Sequence, residues 1–192
     1  MILITGGAGF IGGNFVLDWL AIPDAETIIN LDKLTYAGNL SNLQSLKNDS
    51  RHIFVRGDIA DKILVDDLLL KHRPRAIVNF AAESHVDRSI HGPADFIQTN
   101  MVGTFHLLEC AREYWQQLSP SLAAQFRFIH ISTDEVYGSA KIGFKFKEDS
   151  PLRPNSPYSS SKAASDLLVR SYNKTYGINT VITRCSNNFG PF

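Results

Sequence analysis

A phenol and an ammonium stand four residues apart in the run Tyr158-Ser159-Ser160-Ser161-Lys162, on a segment that becomes helical after Pro157. Four helical residues make about one turn, roughly 6 Å of rise, so both side chains project from one face. A neighbouring cation favours the phenolate and lowers a tyrosine from its reference of about 10. Such a tyrosine can remove a hydroxyl proton while a hydride leaves the same carbon. The spacing is common in helices, so its weight depends on what else the chain carries.

What it carries is a glycine loop, Thr5-Gly6-Gly7-Ala8-Gly9-Phe10-Ile11-Gly12, between an apolar strand pattern and a helical one. Two registers fit a phosphate-binding turn, Gly7-x-Gly9-x-x-Gly12 and Gly6-x-x-Gly9-x-x-Gly12. Glycines let the backbone approach a pyrophosphate, and the following helix N-terminus offers unpaired N–H groups and a positive dipole end. Asp32 follows twenty residues beyond Gly12 at the end of the next strand pattern. A carboxylate there binds ribose hydroxyls and repels a 2′-phosphate, which favours NAD over NADP, although Lys33 beside it softens the electrostatics. Asp58, in Gly57-Asp58-Ile59, suits either the adenine edge or a turn.

Two further segments fall where strands end. Ser132-Thr133-Asp134-Glu135-Val136-Tyr137-Gly138 offers Thr133 as a hydrogen-bond partner for the reacting oxygen beside Tyr158, then two adjacent acids. Removing a proton beside a ketone while protonating a departing hydroxyl takes one base and one acid; a charged helix cap is the other use for such a pair. Asn79-Phe80-Ala81-Ala82-Glu83-Ser84-His85-Val86-Asp87 has small alanines that let a nicotinamide pass close to the backbone, with Ser84 and His85 as contacts. Asn187 and Asn188 follow the last strand pattern and point at the same crevice, or serve only a turn.

The elements that must position these groups alternate. Apolar runs at Ile2–Thr5, Thr27–Asp32, His52–Arg56, Ala76–Ala81, Arg127–Ser132 and Thr180–Thr183 have no polar face, as strands buried on both sides of a parallel sheet require. Helical patterns lie at Ile11–Leu20, Ile63–Lys71, Ala94–Gln117 and Ser160–Tyr176, the last with a stripe of Leu167, Leu168, Ser171, Tyr172 and Thr175. Strand–helix–strand order implies right-handed crossovers and a doubly wound α/β sheet of Rossmann type. Gly138–Pro157 reads as an excursion over the sheet's C-terminal edge. The chain stops inside a turn signal at Asn187–Phe192, so a C-terminal continuation is expected.

Composition sets outer limits. Among 192 residues, 19 Lys+Arg balance 19 Asp+Glu, which argues against a general nucleic-acid or anionic-membrane binder. No apolar run approaches the ~20 residues that span a bilayer, and Met1–Thr5 lacks the basic start of a leader. Cys110 and Cys185 read as reduced, buried thiols, and no metal site is expected. The expectation is a cytoplasmic protein, and a homodimer formed by Ala94–Gln117 and Ser160–Tyr176 through Phe105, Leu108, Tyr114, Trp115, Leu168 and Tyr172.

Taken together, the Thr5–Gly12 loop, Leu31–Leu40, Ala81–Ile90, Ser132–Gly138, Tyr158–Lys162 and Cys185–Pro191 resemble the extended short-chain dehydrogenase/reductase family, and within it the 4,6-dehydratases of dTDP-glucose. The glycine loop and Tyr-x-x-x-Lys are shared widely; Asp134-Glu135 and the Asp32–Asn39 stretch are more specific. The resemblance implies that Tyr158, with Lys162 and Thr133, deprotonates the C4 hydroxyl as hydride passes to NAD. Glu135 then takes the C5 proton, Asp134 protonates the leaving C6 hydroxyl, and the hydride returns to C6. It implies NAD contacts at Gly6, Gly9, Phe10, Ile11, Gly12, Asp32, Lys33, Leu34, Thr35, Asp58, Ile59, Phe80, Ala81, Ala82, Ser84, Thr99, Tyr158, Lys162 and Asn188. Sugar-nucleotide contacts fall on Ser84, Thr133, Asp134, Glu135 and Asn187, the nucleotide itself being held by a C-terminal part outside this chain. Arg184 stands where a smaller residue is expected. The rival readings are a sugar-nucleotide 4-epimerase or decarboxylase, which has no use for the acid pair, and a non-catalytic NAD-binding fragment.

Overall fold

Strands β1 (Ile2–Thr5), β2 (Ile28–Asp32), β3 (His52–Arg56), β4 (Ala76–Asn79), β5 (Arg127–Thr133) and β6 (Thr180–Cys185) pair in parallel throughout, in the order β3-β2-β1-β4-β5-β6. The computed structural model describes residues 1–191. Their Ile-, Val- and Phe-rich sequences place side chains on both faces, and each face is roofed. On one, Leu3, Ile29, Leu31, Ile77 and Phe128 pack under helices α2 (Lys62–His72), α5 (Thr104–Gln116) and α7 (Pro157–Tyr176). On the other, Ile2, Ile4, Ile28 and Val78 pack under α1 (Phe10–Ala21) and the short 3₁₀ turn Leu40–Leu46. The doubly wound sheet expected from the alternation is therefore present.

The strand order reverses between β1 and β4, and a crevice opens outside the carboxyl ends of such neighbours. Local chemistry sets the helix ends that face it. At α7, Ser156 and Ser159 form a reciprocal capping box and Pro157 takes the first helical position. Gly177, at φ +82°, closes the other end in the left-handed conformation.

Three differences from the sequence reading have physical causes. The segment expected as one helix over Ala94–Gln117 is continuous, but it opens into a wide π turn at Ile97–Gly103 between α4 (Ala94–Phe96) and α5. Helices α3 (Val86–His91) and α6 (Pro120–Gln125) are too short and polar to leave a periodic signal. Of the stripe Leu167, Leu168, Ser171, Tyr172 and Thr175, only Tyr172 is buried and Leu168 half-buried; the buried face of α7 runs through Tyr158, Ser161, Lys162, Ser165, Asp166, Val169 and Tyr172. Its first half is polar because it covers the site rather than the core.

Among the described residues, no helix is long and apolar enough to cross a membrane. No cluster of three or more His, Cys, Asp or Glu among them is placed to hold a metal ion.

Candidate active site

The glycine loop turns at Gly6, which takes φ +71°, and a side chain there would put its Cβ 2.6 Å from the Ala81 nitrogen. A Cβ on Gly12 would lie 2.3 Å from the Gly6 carbonyl oxygen. Only glycine lets the β1–α1 turn press against β4 and curl under the helix start. Asp32, nearly buried at the end of β2, ties this turn down: its carboxylate accepts from the Ala8 N–H at 2.8 Å and the Leu34 N–H at 2.7 Å. At the mouth, Lys33 Nζ sits 2.7 Å from Asp58 Oδ2. Burial pushes the Asp58 carboxyl up, but Lys33 and the Ala60 N–H outweigh it and hold it below its ordinary value.

These groups border one cleft of about 350 Å³. Gly6, Gly9, Phe10, Ile11 and Gly12 line it at one side, and Asp32, Lys33, Thr35, Asp58 and Ile59 at the far end. Phe80, Ala81, Ala82, Ser84 and Thr99 close the opposite wall, and Tyr158 and Lys162 the near end. A cleft lined by a glycine cradle, by a carboxylate at the end of β2 and, three strands away beside β5, by a phenol–ammonium pair fits a dinucleotide. Leu34 and Asn188 stand outside the cleft. Leu34 adopts φ +56°, and its side chain lies against the Gly38 backbone. Asn187 and Asn188 are exposed beyond β6, where Asn188 Nδ2 donates to the Ser186 carbonyl.

Tyr158 and Lys162 face the cleft from the first turns of α7, both nearly buried. Lys162 Nζ donates to the Ile131 carbonyl at 2.7 Å, and burial pulls the ammonium down to about 8. The Tyr158 phenol is pushed up to about 12, first by burial and then by the negative field of Glu135, while a hydrogen bond with Thr133 works the other way. This corrects the expectation that Lys162 lowers the phenol: burial and the negative field of Glu135 outweigh it.

Those acids stand on the turn that ends β5. The Thr133 hydroxyl accepts from the Glu135 N–H at 3.2 Å, capping the short 3₁₀ helix Asp134–Tyr137. The hydroxyl that caps this turn is thus the one that meets Tyr158, and the turn directs Asp134 and Glu135 outward, exposed. The Glu135 carboxyl is raised from its ordinary value, by partial desolvation and then by Asp134's charge. A raised carboxyl is a better-matched proton carrier near neutrality.

The sequence reading passed over Asn100. Buried in the π turn, it accepts from the Glu83 N–H and donates to the Glu83 carbonyl, each at 2.9 Å, and also donates to Ser161 Oγ. It thereby staples the Ala81–His85 wall to α7. Its signal was a polar residue on the inward face of an apolar helix pattern. The same holds for Asp166, eight residues beyond Tyr158 and fully buried.

Residues 3–192 match the family model described as GDP-mannose 4,6 dehydratase. The chain belongs to that family. It is 59% identical over 190 residues to dTDP-glucose 4,6-dehydratase of Xanthomonas campestris pv. campestris strain B100, covering 99% of this chain and 54% of that protein. The crystal structure of DesIV, a dTDP-glucose 4,6-dehydratase from Streptomyces venezuelae with NAD and TYD bound, superposes with TM-score 0.89 at 51% identity. That alignment covers 99% of this chain and 56% of DesIV. UDP-glucose 4-epimerase of Thermus thermophilus, in complex with NAD, matches at TM-score 0.80 and 32% identity, over 95% of this chain and 54% of the epimerase. The chain thus spans about half the length of the family members it matches.

Proposed function

We propose that the whole gene product is an NAD-dependent dTDP-glucose 4,6-dehydratase, forming dTDP-4-keto-6-deoxyglucose. The observation that carries this reading is the junction of β5 with α7. There the oxidoreductase pair Tyr158–Lys162 meets Thr133 and, on the same turn, the acids Asp134 and Glu135. The resemblance to the Xanthomonas and Streptomyces enzymes over the whole chain supports the substrate class. A 4-epimerase on the same scaffold needs the phenol and the ammonium but not the acid pair.

Residues 1–192 form the NAD-binding domain and bear the catalytic groups, with the glycine cradle on the pyrophosphate and Asp32 on the adenosine ribose. When bound there, NAD would supply the hydride acceptor for C4 and the hydride donor for C6. Tyr158 acts in its phenolate form, its own proton having first left to solvent: it takes the C4 hydroxyl proton beside Thr133, and the Lys162 ammonium on the same helix face supplies the positive charge that favours that anion. Glu135 then removes the C5 proton, now acidified by the neighbouring ketone, and Asp134 protonates the departing C6 hydroxyl so that water leaves. Ser84 and Asn187 contact the sugar. The remainder of the substrate nucleotide meets the part of the protein outside this chain. The enzyme works in the cytoplasm as a homodimer.

The deciding experiment is mass spectrometry of the product formed by the whole gene product from dTDP-glucose. Loss of one water is expected; unchanged mass, with inversion at C4 read by proton NMR of the same product, would make the protein an epimerase.

A further inference from the structure

Behind the catalytic lysine lies a charged group that the reaction above does not use. Asp166 follows Lys162 by one helical turn on α7, on the same face, and both side chains are almost fully buried. Asp166 Oδ2 accepts from Arg184 Nε at 2.8 Å, and the carboxylate also has the buried Ser132 hydroxyl beside it and His130 Nε2 3.8 Å from Oδ1. Arg184 comes from β6, opposite Ser132 in register, one residue before the Cys185 that faces Thr133. Its other arm reaches the opposite way: Nη1 donates to the Tyr137 hydroxyl at 2.7 Å and to the Glu148 carbonyl at 3.2 Å. Tyr137 ends the short helix that begins with Asp134 and Glu135.

We propose that Asp166 and Arg184 are a positioning pair for this reaction, in which the Asp166 carboxylate is the buried counter-charge of the Lys162 ammonium and the Arg184 guanidinium ties that carboxylate to the acid-bearing turn. The inference rests on the dehydratase reading and adds to it the support behind both halves of the chemistry. The buried Lys162 and the partly exposed Arg184 share one anion here. Besides Asp166, Lys162 faces Tyr158 on its own helix, His130 on β5 and Cys185 on β6, with Arg184 beyond Asp166. Burial keeps His130 neutral, and although burial also raises the Asp166 carboxyl, against the pull of Arg184 and Lys162, Asp166 is the one carboxylate of this group. It opposes the burial that drives Lys162 to shed its proton. Buried pairs of this kind are weak sources of stability, and retaining one is better explained by what it orients. Arg184, the residue larger than expected near the end of β6, thereby has a reason for its size. A shorter side chain could not reach Asp166 and Tyr137 at once.

The test uses Asp166→Asn and Arg184→Lys in the whole gene product, with two readouts. The first is the charge state of Lys162, followed by the ¹³Cε shift of labelled lysine in protein without ligand. The second is single-turnover formation and decay of bound NADH as a function of pH. Asp166→Asn is expected to lower the Lys162 midpoint by about one pH unit and to move the alkaline limb of C4 oxidation with it, leaving KM for the sugar nucleotide near its original value. Arg184→Lys keeps a charge but loses the forked reach. It is expected to leave the Lys162 midpoint in place and slow water loss about ten- to a hundredfold relative to C4 oxidation. An Asp166→Asn protein that folds, with both the midpoint and the limb unmoved, would overturn the pair. If Asp166→Asn does not fold, Arg184→Lys decides: selective slowing of water loss supports the pair, and unchanged steps overturn it. Should the unaltered protein form neither bound NADH nor a keto sugar, the dehydratase reading fails, and the lysine titration still judges the electrostatic half alone.

Discussion

At the scale of single residues, the site separates proton transfer at oxygen from proton transfer at carbon. Tyr158 is buried beside Thr133, whereas Glu135 is exposed on the turn beyond it with a raised carboxyl. Glu135→Gln keeps size and removes the base, so oxidation at C4 is expected to survive while bound NADH accumulates. Exchange of C5–H with solvent deuterium should fall about a hundred- to ten-thousand-fold. Tyr158→Phe should show no NADH signal in the same stopped-flow record. Near-normal turnover by Glu135→Gln would make the acid pair structural and move the assignment to an epimerase. Lys162 carries a different consequence. Its value in the folded protein, about 8, lies below its ordinary 10.5, so the unfolded chain holds more protons between those values. Its contribution to stability therefore rises with pH across that window, and at neutrality the buried charge costs about 3 kcal/mol. Lys162→Met is expected to abolish turnover yet raise Tm at pH 7 by about 2–6 °C, after allowing for the lost bond to the Ile131 carbonyl. Calorimetry of both proteins at pH 7 and pH 10 checks the sign. The gap should narrow at pH 10, and a less stable variant at pH 7 would contradict the assignment of cost.

At the scale of elements, the cleft depends on how closely the β1–α1 turn approaches its neighbours. The Cβ introduced by Gly12→Ala would meet the Gly6 carbonyl oxygen at 2.3 Å, a backbone atom with little freedom to retreat. The helix N-terminus must then back away from the pyrophosphate, and NAD affinity is expected to fall at least tenfold, about 1.4 kcal/mol or more. Isothermal titration of a variant with unchanged circular dichroism measures it; an unchanged Kd would mean that this turn is not the phosphate cradle. The π turn at Ile97–Gly103 acts at the same scale. It sets Thr99 at the cleft wall while Asn100 reaches back to both Glu83 and Ser161. Such wide turns are found disproportionately at functional sites.

At the scale of the molecule, the faces available for association differ from those the periodicity suggested. Leu108, Tyr114 and Tyr172 are consumed by the intrachain core, and Trp115 and Leu168 pack against it. Phe105, Leu167 and Tyr176 remain exposed on α5 and α7. Paired across a two-fold axis, these helices would bury that apolar surface as a four-helix bundle. The whole gene product is expected to run as a dimer by light scattering, and Leu167→Glu to shift it toward monomer. A monomeric mass before mutation would dismiss the bundle. The sequence by itself determined the alternation of buried strands with helices, the glycine turn, Asp32 at its distance and the Tyr158–Lys162 pair, because each is written in local periodicity or short spacing. Only the tertiary structure decided how the pair is charged. The acids of one turn, the Ile131 carbonyl and the Asp166–Arg184 pair come from separate stretches of chain, and their fields add only once β5, β6 and α7 have packed together. The polar face of α7 was illegible for the same reason. A serine, a lysine and an aspartate at helical spacing look like a solvated surface until the sheet they cover is known to end in a cleft.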